Sequence, residues 1–168
     1  MIDFASIVSA CSNPQALIEQ IPDASITAST FYQNRANHGP QQSRYTYVDG
    51  SNGGEGAWVA WFLNTDQWIQ ADFGSVKAVV KVATKGRNEA SPLYFWLTKY
   101  RLKYGLSTNE AEFEYVRSAG GDVITFDGNS DKDTGVENEF EMVFARVMRL
   151  CPVEWNRSIA VRWELYGC

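Results

Sequence analysis

The only histidine of the chain, His38, lies in the polar stretch FYQNRANHGPQQSR. That placement limits the chemistry from the outset, because a serine or cysteine nucleophile usually needs an imidazole base that a third group holds in place. A lone histidine among Asn, Arg and Gln reads instead as a surface loop residue. No G-x-S-x-G, H-E-x-x-H, C-x-x-C or G-x-x-x-x-G-K-[ST] pattern occurs, and the glycines around Gly53 lack a phosphate-gripping lysine and a following helix. The sequence therefore gives hydrolase and nucleotide-binding chemistry no catalytic residues.

Two further patterns could carry chemistry. Asp127, Asn129, Asp131 and Asp133 alternate like the first ligands of a calcium loop. Lys132 then stands where the sharp turn needs glycine, and Asn138 where a bidentate glutamate should close the loop, so the segment reads as a solvated turn. Asn156-Arg157-Ser158 is a glycosylation sequon in a secreted chain. The three cysteines, Cys11, Cys151 and Cys168, allow three alternative single disulfides with one thiol left over, or three reduced thiols.

The elements that must position such residues are strands. Ile69, Ala71 and Phe73 share one face, and Tyr100, Leu102 and Tyr104 share another with Lys99, Arg101 and Lys103 opposite. Residues 79–84, 113–116, 144–150 and 159–165 continue the pattern, for about eight short strands in all. In the last of these, Ile159, Val161, Trp163 and Leu165 point the same way. Turn-forming runs rich in Gly, Asn and Asp separate the strands at 49–56, 118–122 and 127–135, and only 13–20 suggests a helical turn. An all-β antiparallel sandwich or barrel follows.

A length of 168 residues with 45% hydrophobic content suits one domain with one core, covering 1–168. The net charge of -5 opposes diffuse attraction to nucleic acid or anionic bilayers, so either would need a local basic patch. No apolar run reaches the roughly 20 residues of a transmembrane helix. The start, MIDFASIVSAC, has no cationic residue and too short an apolar stretch for a signal peptide, so it reads as a trimmed chain or one that is not secreted.

Nine segments taken in order resemble the discoidin domain, also called the coagulation factor 5/8 type C domain. They are CSNPQAL (11–17), IPDASITAST (21–30), GAW (56–58), WIQADFG (68–74), TKGR (84–87), WLTKYRLKYG (96–105), FDGNSDKD (126–133), FARVMRLCPVEWN (144–156) and VRWELYGC (161–168). The resemblance covers nearly everything from Cys11 to Cys168. It implies an eight-stranded, jelly-roll-like β-sandwich or barrel of the galactose-binding type, with Cys11 joined to Cys168 and Cys151 left as a free thiol. It also implies an extracellular setting, either secreted or in the ectodomain of a membrane protein. Galactose-binding relatives hold a structural cation at positions matching Asp49 and Glu164, which makes these two candidate calcium ligands.

Members of this family bind through loops at one end of the barrel, matching 31–44, 49–63 and 87–95 here. The resemblance points to Phe31, Tyr32, Leu93 and Tyr94 as apolar tips, with Arg35, Arg44 and Arg87 for charge. Arg87 resembles an arginine used by galactose-binding lectins and collagen-binding receptors, and Glu55 and Glu89 offer carboxylates beside it. Trp58, Trp68, Trp96 and Trp155 read as core or loop anchors. Two departures stand out: the usual Gly-Ala-Trp-Cys is GAWV, and the first loop lacks paired tryptophans. The expectation is a non-catalytic module for a cell-surface glycan or glycoprotein, with anionic phospholipid or an extracellular matrix protein such as collagen as alternatives, and no nucleic acid partner. It needs no cofactor apart from the candidate calcium.

Overall fold

The computed structural model describes residues 11–50, 53–89, 92 and 94–168. Among these, nine strands are joined by turns and short 3₁₀ segments: β1 (Gln15–Ala16), β2 (Ile26–Ala28), β3 (Trp58–Val59), β4 (Ile69–Lys85), β5 (Trp96–Gly105), β6 (Glu114–Tyr115), β7 (Phe126–Asp127), β8 (Val136–Asn156) and β9 (Ala160–Gly167). The expected all-β sandwich is present, with nine strands rather than eight. The main pairing order is β1-β9-β4-β8-β5-β6, with β2 on β4, β3 on β9 and β7 on β5, all antiparallel.

The strands read separately at 69–73 and 79–84 are two halves of β4. The register against β8 breaks between Asp72 and Lys77 and again between Val79 and Lys81. Gly74 (φ 74°) turns the chain at the first break, where its N–H donates to Asp72 Oδ1 at 2.8 Å. Arg146 grips that carboxylate at 2.9 and 3.0 Å, and this contact, above all, holds Asp72 below the usual carboxylate range. A break of this kind bends a long strand around the core without ending it. The helical turn expected over 13–20 is instead strand β1 followed by a 3₁₀ turn at Ile18–Gln20.

The core gathers Trp58, Ile69, Val79, Leu97, Tyr100, Leu102, Met148, Leu150, Val161, Trp163 and Leu165. Strand β9 is buried on both faces. Its Val161, Trp163 and Leu165 enter the core as their alternation predicts, while Arg162 and Glu164 are covered by loops. Glu164 accepts backbone N–H groups from Leu17, Ile18, Glu19 and Leu165 at 2.6–3.1 Å, and so anchors the first turn of the chain.

Cys11 is bonded to Cys168 across a sequence separation of 157, as the resemblance implies, and Cys151 is free and half-buried. The bond lies where β9 finishes, beside Ala78 of β4, whose backbone pairs with Cys168 in both directions. A disulfide of this kind persists in an oxidising compartment, in keeping with an extracellular domain. Closing so long a loop restricts the unfolded chain, an effect worth about 5 kcal/mol on the chain-entropy account. Replacing both Cys11 and Cys168 by Ala is expected to lower the Tm by roughly 10–20 °C, measured by calorimetry. Glu164→Ala should lower the urea-unfolding free energy by about 3 kcal/mol or more, because it strips the acceptor from several buried N–H groups.

Candidate functional site

At the pole where β4, β5 and β8 meet the start of β9, the connecting segments converge. Tyr32, Arg35, His38, Glu55, Val59, Arg87, Phe95 and Ser158 line a cleft of about 310 Å³ there. Two close approaches fix its walls. Gly56 has φ 77°, and a Cβ on it would lie 2.2 Å from the Asn88 carbonyl oxygen, so at this crossing the second and third loops meet backbone to backbone. The Asn88 N–H donates to Gly56 O at 3.0 Å. Beneath them Arg162, 2% exposed, donates to the carbonyls of Gly86 and Tyr47 at 2.7 Å and of Lys132 at 2.9 Å. Gly86 is required at that crossing, because a Cβ there would lie 2.5 Å from Phe95 O.

The floor of the cleft is a charge network. Arg87 is 3% exposed; its Nε donates to Glu55 O at 2.8 Å and its Nη2 to Glu55 Oε2 at 2.7 Å. The same Nη2 pairs with Glu89, and the guanidinium lies 5.6 Å from the centre of the Phe95 ring. Burial raises the Glu89 carboxyl above its usual range; Arg87 opposes this, while Asp49 and Glu55 add to it. Glu55 is held from the other side too, receiving Asn37 Nδ2–H at 2.6 Å and lying 3.2 Å from His38 Nε2. His38 Nδ1 lies 3.0 Å from Asn37 Oδ1, and the tilted Tyr32 ring covers the imidazole at 5.2 Å. Burial depresses the His38 pKa; Glu55 opposes this, and Arg87 and Arg35 reinforce it.

Of the residues named from the sequence, Tyr32, Arg35, Glu55 and Arg87 line this cleft and Glu89 lies next to it on Arg87. Phe31 is not a tip: it packs half-buried against the main core. Arg44 is not a surface cation either, since it is buried on the carbonyls of Ile18 and Ile21 and on Asp23 at 2.7–3.2 Å. Tyr94 is exposed, with its carbonyl receiving Asn156 Nδ2–H at 2.7 Å, and Leu93 lies outside the described residues.

His38, expected at the surface, is only 5% exposed. A histidine beside Asn37, within reach of a carboxylate on the next loop, has no local periodicity to reveal it. Pattern reading also missed Trp61, Phe62 and Leu63, which are 42, 52 and 54% exposed on the loop before β4, the first two with rings stacked at 5.6 Å. Three consecutive large apolar residues followed by Asn-Thr-Asp were the signal available for it.

The acidic run at 127–133 folds into a turn. Asp131 accepts the N–H groups of Asp133 and Thr134, and Asp133 pairs with Lys132, Asn88 and Arg162. Both Glu164 oxygens face backbone amides, while Asp49 lies beside Glu55 and Asn88. Among the described residues no three His, Cys, Asp or Glu side chains gather to hold a metal.

The F5/8 type C domain model matches residues 25–165. Lactadherin of Bos taurus is 31% identical over 160 residues, which is 94% of this chain and 37% of the relative. Retinoschisin of Homo sapiens is 32% identical over 113 residues, 67% of this chain and 49% of the relative. The chain thus spans less than half of either relative. Among solved structures, wild-type discoidin II of Dictyostelium discoideum superposes with a TM-score of 0.75 at 25% identity, covering 94% of this chain and 59% of that one.

Arg87 thus supports the loops as well as lining the cleft, and the two roles separate by measurement. Arg87→Ala should destabilise the domain by about 3 kcal/mol, since it removes the cation that Glu55 and Glu89 share and leaves the two carboxylates side by side. Arg35→Ala, at an exposed site, should stay within about 0.5 kcal/mol of the parent; thermal unfolding of the two variants side by side checks both.

Proposed function

This chain belongs to the F5/8 type C domain family, and from that premise we propose that it is a non-catalytic recognition module whose loop-end cleft takes a glycan or the glycan of a glycoprotein. The carrying observation is the composition of that cleft. It sets the Tyr32 and Phe95 rings beside a guanidinium and a carboxylate that are already locked together by hydrogen bonds. Aromatic faces suit the apolar face of a pyranose ring, while planar guanidinium and carboxylate groups match paired hydroxyls. Sites held rigid before binding lose less entropy when the ligand arrives.

The same geometry argues against catalysis. His38 has Asn37 and Glu55 against its two ring nitrogens, so neither is turned to a nucleophile as a general base would be.

A second reading has its own observation. The exposed Trp61-Phe62-Leu63 tip is the kind of apolar surface that enters a lipid headgroup layer, and Arg35 on the first loop is an exposed cation that an anionic lipid could meet. A matrix protein is the third candidate partner. A parallel screen on a glycan array and on phosphatidylserine liposomes, with and without calcium, separates the readings. On the first reading the domain gives a glycan signal that Tyr32→Ala and Arg35→Ala each weaken about tenfold, some 1.4 kcal/mol, and that Phe62→Ser leaves alone. Liposome binding lost in Phe62→Ser would reverse the order of the two. Silence on both surfaces would leave a protein partner.

A further inference from the structure

The two contacts of the His38 ring cannot both be hydrogen bonds to a neutral imidazole. Asn37 Nδ2 is 2.6 Å from Glu55 Oε1, which fixes the amide with its oxygen, an acceptor, toward His38 Nδ1 at 3.0 Å. The other ring nitrogen, Nε2, lies 3.2 Å from Glu55 Oε2, also an acceptor. A neutral imidazole carries one N–H and one lone pair, so one of these contacts sets lone pair against lone pair. Only the imidazolium donates to both.

We propose that His38 is a proton-operated latch between the first and second loops, closing in mild acid and thereby grading ligand binding at the cleft with pH. This rests on the glycan reading only for its consequence; the latch itself is a property of the loops. The ring belongs to the loop that carries Tyr32 and Arg35, and its proton fastens that loop to Glu55 on the next. The Asn37 O to Glu55 N–H bond at 2.9 Å already runs between the same two segments, so protonation tightens an existing seam.

The groups facing the ring are Glu55 from the second loop, Arg87 from the third, and Asn37, Arg35 and the Tyr32 ring from its own. Glu89 reaches the ring only through Arg87, which it shares with Glu55. Glu55 attracts the proton, whereas burial and the two arginines resist it and prevail, so the latch engages below the ordinary histidine value of 6.5. A base with a depressed folded pKa binds its proton less readily than the unfolded chain does. Domain stability therefore falls slightly as pH drops from above 6.5 through the folded value, and the latch closes against that small cost.

Because His38 is the only histidine, its imidazole signals are unambiguous in an NMR titration of the whole domain. The expected result is a midpoint below 6.5 that falls further in Glu55→Gln, with protection of the Glu55 amide from hydrogen exchange rising as the ring takes up its proton. A midpoint at or above 6.5, one unmoved by Glu55→Gln, or amide protection indifferent to the ring's charge would overturn the latch. Retention on galactose-agarose is the second arm. The wild type should be held roughly fivefold or more tightly at pH 5 than at pH 7.5, the lower end of ordinary coupling between sites, and His38→Gln should show no such change. Retention that is equal at both pH values in the wild type would overturn the link to binding. Absence of retention at every pH would count against the glycan reading and leave the NMR result to decide the latch.

Discussion

Arg162 is the contact on which the loop end depends. It lies on a strand buried on both faces, and its guanidinium donates to the carbonyls of Tyr47, Gly86 and Lys132. Each of those carbonyls belongs to a different connecting segment. Loop backbone leaving a sheet exposes polar groups that must find partners if they are covered, and here one cation satisfies three of them. Burial lowers the Arg162 pKa and Asp133 counters this, as expected of a charge taken out of water and partly matched. Glu164, two residues on, does the converse for backbone N–H groups near the start of the chain. Because alternate residues of a strand point to opposite faces, a central strand can both fill the core and tie the loops.

On that base the cleft is held by side chains. Arg87 does not reach out as a tip; it is buried, and Glu55, Glu89 and the Phe95 ring surround it. Glu55 in turn is held from three directions by Arg87, Asn37 and His38. The outer residues, Tyr32 and Arg35, stand on this network, Tyr32 with its ring over His38, and both are exposed. Removing an inner residue and removing an outer one are different experiments, because the first alters the walls and the second alters only what the walls present.

The sequence made the strands legible wherever one face was wet and the other dry. The alternations at 69–73 and 100–104 became strand, because a two-residue period is a strong signal of a half-buried sheet, and that at 159–165 became β9 from Ala160 onward, with loops rather than water over its polar residues. The union of 69–73 with 79–84 into β4 was hidden, since a bulge is a matter of pairing register and leaves no periodicity. The loop-end cleft followed from the order of motifs, but the depth of each residue did not. Arg44 and Arg35 are both loop arginines, and only the fold reveals that Arg44 meets two carbonyls and Asp23. Likewise Phe31 and Phe62 are equally apolar, yet one packs on the core and the other stands in solvent, as the path of each loop decides.

The three carbonyls gripped by Arg162 are main-chain atoms, and every residue type supplies one. A clamp of this sort is indifferent to the side chains it carries, apart from the glycine at 86 that the close crossing demands. Lineages descended from such a scaffold can therefore diversify the tips of their loops by single substitutions without first finding a new way to hold them. The same indifference makes the loop end a natural platform for combinatorial libraries, in which positions such as 32, 35 and 61–63 are randomised while the strand beneath is left alone.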